Sequence, residues 1–66
     1  MKVERDEILH LRQNMGISQE ALAREVGVSW RTVARWESGE SKPSQLAHKV
    51  LEVLYLKYGR SKGEKL

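Results

Sequence analysis

Arg31 and Arg35 stand four residues apart, so on a helix their guanidinium groups project from one side. Each is a planar, permanently charged fork of donors, suited to a guanine edge or to a phosphate. The stretch from Gly27 to Trp36 that holds both arginines contains no acid, which makes a locally basic face. Groups for catalysis do not converge in the same way. His10 and His48 are single residues in separate segments. Asp6 with His10, and His48 with Glu52, share i, i+4 spacing, but two ligands do not make a metal site. There is no cysteine, which removes disulfides, thiolate metal sites and a thiol nucleophile together. The expectation is a protein without catalytic residues, bound metal or cofactor.

These arginines need a scaffold, and 66 residues allow only one small domain. A chain of this length buries only about 60% of the surface its unfolded form exposes, so the core must be tight. The net charge is +3, from 12 Lys+Arg against 9 Asp+Glu. Residues 1–56 are neutral overall. The excess lies at the end, where Lys57, Arg60, Lys62 and Lys65 face only Glu64. We therefore read residues 1–59 as the domain and 60–66 as a basic tail, a solvated end or an arm for a polyanion. The lack of cysteine suits a reducing cytoplasm. No apolar run reaches the roughly 18 residues of a membrane span, and the first residues do not read as a signal peptide.

Glycines at 16, 27, 39 and 59 each close a segment of helical periodicity, with the single proline at 43. The first helix is expected from about Val3 to Met15, with Glu4, Asp6 and Glu7 near its positive end and Ile8, Leu11 and Met15 as its buried stripe. Ser18 caps a second helix, Gln19 to Val26, with Leu22, Ala23 and Val26 inward. Ser29 caps a third, from Trp30 to about Ser38, with Val33 and Trp36 inward. Pro43 interrupts the next stretch, and Ser44 caps a fourth helix from Gln45 to about Tyr58. Its stripe is Ala47, Val50, Leu51, Leu54 and Tyr58. Leu46, Val53 and Leu56 widen the apolar surface toward a second face. No segment alternates with the period of two that marks a half-buried strand. The fold class is all-α.

The second and third helices are joined by Gly27-Val28-Ser29, the spacing of a helix-turn-helix. Ala23 is small where the helices approach, Gly27 takes the unusual backbone angles, and Val28 plugs the turn. Val33 and Trp36 fasten the following helix. The run Ser18-Gln19-Glu20-Ala21-Leu22-Ala23-Arg24-Glu25-Val26-Gly27-Val28-Ser29 resembles the phage repressor and Cro-type helix-turn-helix family. So do Thr32-Val33-Ala34-Arg35-Trp36-Glu37-Ser38-Gly39 and Lys42-Pro43-Ser44. The resemblance covers about residues 5–55. It implies a small lambda-repressor-like domain of four helices, or five, that binds operator DNA, generally as a two-fold dimer. Members commonly carry a fifth helix that helps form the dimer contact, whereas this sequence stops soon after the fourth. The Pro-Ser-Gln-Leu-Ala start of the fourth helix also resembles short antitoxins of toxin–antitoxin pairs.

In a helix-turn-helix the first residues of the second helix reach base edges in the major groove. Here those are Trp30, Arg31, Ala34 and Arg35. Either arginine has phosphate as its alternative target. Trp30 is open to three placements: against a sugar or thymine methyl, folded back over its neighbours, or against a partner protein. Phosphate contacts are expected from the amides beside Ser18 and Gln19, and from Thr32, Ser41 and Lys42. The resemblance implies an ion pair between Arg12 and Glu37 that ties the recognition helix to the first helix.

Leu46, Val53 and Leu56 would meet a second copy or a partner protein, or simply stay exposed as in many tiny domains. The leading expectation is a sequence-specific regulator of double-stranded DNA, dimeric at least on DNA. The alternative is an antitoxin-like module that holds a partner protein and autoregulates through the same DNA-binding domain. An adaptor or RNA-binding domain using the same helix is the third.

Overall fold

Each helix starts and stops where a particular side chain or glycine satisfies backbone groups that the helix cannot. The computed structural model describes residues 4–58, and within them four helices follow one another: α1 Arg5–Met15, α2 Gln19–Val26, α3 Trp30–Ser38 and α4 Gln45–Tyr58. Among the described residues all regular structure is helical, and no helix is long and apolar enough to cross a membrane. The expected closure at Gly59 and the basic tail 60–66 lie outside the described residues, as does Val3.

α1 begins at Arg5 because Glu4 is extended, at φ −106° and ψ 178°, and acts as its cap. The Glu4 backbone N–H donates to Glu7 Oε1 at 3.2 Å, half of the reciprocal arrangement that fixes a helix start. In α2 and α3 the caps are serines: Ala21 N donates to Ser18 Oγ at 3.1 Å and Thr32 N to Ser29 Oγ at 3.3 Å. Ser44 Oγ accepts from Ala47 N at 3.2 Å at the start of α4. Between α2 and α3 the reversal depends on Gly27, whose φ of +92° is a conformation that a side chain strains.

The core draws on all four helices. Ile8 and Leu11 come from α1, Leu22 and Ala23 from α2, Val33 and Trp36 from α3, and Ala47, Leu51 and Leu54 from α4. Met15, Ile17, Val26, Val28 and Val50 pack around its margin, only partly buried. Fully burying an aliphatic side chain contributes about 1.5–3 kcal/mol, so a domain this small relies on each of these residues. α3 packs on α2 and α1, while α4 packs on α1 and more lightly on α2.

One member of the expected α4 stripe fails. Tyr58 is half exposed, because the body of the domain is already filled at Leu54 and the helix runs past it. Leu46, Val53 and Leu56 are exposed at 75%, 54% and 66%, so the second face of α4 is uncovered in the single chain.

Candidate nucleic-acid interface

α3 has a sealed side and an open side. Val33 and Trp36 are buried, whereas Arg31 and Arg35 are exposed on the opposite side and Ala34 is half-buried. At its start, Ser29 Oγ and Thr32 Oγ1 lie 3.0 Å apart, so the Thr32 hydroxyl is engaged with the cap. At its end Gly39 takes φ +85° and turns the chain back on itself. The Arg35 carbonyl then accepts from Glu40 N at 2.9 Å, Ser41 N at 3.3 Å and Ser38 Oγ at 3.1 Å. Arg35 Nε also lies 3.6 Å from Glu40 Oε1, with the two side chains 55% and 70% exposed. Trp30, half exposed, borders a shallow depression with Glu20, Ala23, Arg24 and Val28, which sets it beside α2 at the mouth of the turn.

The far end of α3 is bolted to the rest of the domain. Arg12 Nε donates to Glu37 Oε2 at 2.7 Å and Arg12 Nη2 to Glu37 Oε1 at 3.1 Å, a two-pronged pair between α1 and α3. Arg12 Nη1 donates in addition to the Ile17 carbonyl at 3.2 Å, and Gln19 Nε2 donates to Glu37 Oε1 at 2.9 Å. Three pieces of chain therefore meet at one carboxylate, the end of α1, the start of α2, and α3, while Arg12 ties the α1–α2 turn to them through the Ile17 carbonyl. The Glu37 side chain is 8% exposed and that of Arg12 21%. The hydrogen bonds that Arg12 donates to Glu37 raise the pKa of its guanidinium above the ordinary value; burial opposes this, and the carboxylate charge adds to it.

The flanking residues expected at phosphates divide into two groups. Ser41 and Lys42 are exposed on the loop that follows α3, and Lys42 forms no ion pair among the described residues. Ser18 spends its hydroxyl on the Ala21 amide. Gln19 has its side-chain amide turned inward to Glu37, leaving its backbone N–H in the first turn of α2 as the group facing outward chemistry. Gln19 joins the Arg12–Glu37 cluster and Glu40 lies beside Arg35, two placements that the sequence alone does not announce. Gln19 and Glu37 are 18 positions apart and no local period connects them. Glu40 was detectable in principle, since an acid just past a glycine cap can fold back along the helix it follows.

The helix-turn-helix family model matches residues 8–47, from Ile8 in α1 to Ala47 in α4, with α2, the turn and α3 wholly inside. The chain belongs to the helix-turn-helix family, whose domains serve as DNA-binding regulators. No curated protein matches it.

Proposed function

We propose that this protein is a sequence-specific transcriptional regulator of the phage repressor and Cro type that reads the major groove with the first turns of α3. Trp30, Arg31, Ala34 and Arg35 form the reading surface, with the arginines as donors to base edges and Ala34 small enough for close approach. The observation that carries this is the two-sidedness of α3: Val33 and Trp36 sealed in the core, Arg31 and Arg35 exposed on the other side. Phosphate contacts come from the first amides of α2 beside Ser18 and Gln19, from Thr32, and from Ser41 and Lys42 beyond α3.

The protein binds as a homodimer on a palindromic operator, with the two recognition helices about 34 Å apart. Leu46, Val53 and Leu56 support the dimer, since they recur at i, i+7 and i+10 along α4 and are uncovered. The same uncovered face favours a second reading, in which it holds a partner protein and DNA binding serves autoregulation, as in antitoxins.

Selection of sites from a random duplex pool tests the main proposal. The expected result is a two-fold symmetric consensus whose half-sites are one helical turn apart. Equal affinity for selected and random duplexes would remove sequence reading from the proposal.

A further inference from the structure

We infer that Glu40 is a positioning residue for Arg35, and that through Arg35 it sets the base preference of the recognition helix. The inference rests on the proposal that Arg35 contacts a base. Donors from Ser38 Oγ and from the Gly39, Glu40 and Ser41 amides converge on the Arg35 carbonyl and wrap residues 38–41 around the residue that Glu40 serves. Gly39, at φ +85°, makes that reversal, and it returns the Glu40 carboxylate alongside the Arg35 side chain with Oε1 3.6 Å from Nε. Backbone and side chain are thus both referenced to Arg35.

The side of contact matters. At 3.6 Å the pair is an electrostatic contact rather than a hydrogen bond, and it lies at the Nε end of the guanidinium. The Nη1–Nη2 edge keeps its two parallel donors, the pair that fits guanine O6 and N7. A carboxylate at Nε restricts the directions that edge can take, so the contact is made with less freedom to lose. Arg31 has no acidic partner among the described residues. It therefore reaches the DNA as a freer side chain, tolerant of a base or a phosphate. The two arginines, alike in sequence, differ in how tightly their forks are aimed.

Glu40 also places a negative charge beside the binding face, which weakens attraction to any duplex. Its two effects have opposite signs on affinity, and only one of them depends on sequence. The decisive readout is therefore preference at each base pair rather than affinity alone.

The experiment compares the wild type, Glu40→Gln, Arg35→Ala and the double variant on a panel of single-base changes across the selected operator, with melting temperatures alongside. A good bidentate contact discriminates by roughly five- to hundredfold, so losing its alignment should lower preference about three- to tenfold. We expect that drop in Glu40→Gln at the one base pair where Arg35→Ala abolishes preference, no further drop in the double variant, and an unchanged melting temperature. Binding of unrelated duplexes should rise. If Glu40→Gln shifts all sequences alike, or sharpens preference, while Arg35→Ala still flattens one position, the inference is overturned and the base contact stands. If Arg35→Ala flattens no position, the base contact itself falls, and the role of Glu40 with it.

Discussion

Arg12 and Glu37, 25 positions apart, meet through two hydrogen bonds of 2.7 and 3.1 Å, and Gln19 adds a third to the same carboxylate. Removing Glu37 leaves Arg12, whose side chain is only 21% exposed in the intact protein, without its ionic partner, and leaves the Gln19 amide without its acceptor. A wholly buried pair broken in this way costs about 3–5 kcal/mol; the partial exposure of Arg12 lowers that to about 2–4. At about 4–8 °C per kcal/mol for a domain of this size, Glu37→Ala should melt some 10 °C or more below the wild type. The guanidinium is held above its ordinary value, so its contribution is complete below that value and lost only as pH rises through the higher folded one. The gap between wild type and variant should therefore be the same at about pH 7 and about pH 9, both well below the arginine range. An unchanged melting temperature would show that the cluster is not structural.

That cluster marks the boundary of what the sequence makes legible. Ser18, Ser29 and Ser44 each cap the helix they were expected to cap, and Val33 and Trp36 turn inward. Local chemistry decides such features: a hydroxyl finds an orphan amide, and a 3.6-residue period chooses a face. Gln19 turning to Glu37, Glu40 returning to Arg35 and Tyr58 running past the core depend instead on how helices dock and where the chain reverses. No period within one segment encodes those. The first helix begins at Arg5 because Glu4 pairs with Glu7 as a cap, a local signal that the even spread of early acids disguised.

Gly27 isolates a purely backbone effect. A Cβ added there meets nothing within 4 Å, so Gly27→Ala creates no clash, yet the residue sits at φ +92°. Holding an L-residue in the left-handed region costs about 1–2 kcal/mol. The variant should melt about 4–16 °C lower by circular dichroism while keeping its helical content. Gly27→Asn should lie between the two, because asparagine tolerates this region better than alanine. Equal stability of all three would mean that the turn does not require glycine.

Lys42 separates positioning from reading. It is exposed on the loop after α3 and forms no ion pair among the described residues. If it neutralises one phosphate, Lys42→Ala should weaken binding by the same factor on every duplex. The slope of log affinity against log salt should fall by about 1. Titrations over a range of salt, on the selected operator and on a scrambled one, measure both quantities. A change in base preference would instead move Lys42 to the reading surface.

The uncovered face of α4 makes the last test one of assembly. Leu46 and Leu56 are 75% and 66% exposed in the single chain, so replacing both with glutamate removes little from the core and should leave the melting temperature of the monomer nearly unchanged. If two copies meet through this face, like charges now oppose one another across it, and sedimentation should report monomers at concentrations where the wild type is dimeric. Binding to the full palindrome then loses the advantage of a tethered second site, about tenfold or more, while binding to an isolated half-site stays as it was. A variant that still sediments and binds as the wild type does would place the dimer contact elsewhere. A wild type that is itself monomeric on a single half-site would leave this face to a different partner, in favour of the antitoxin-like reading.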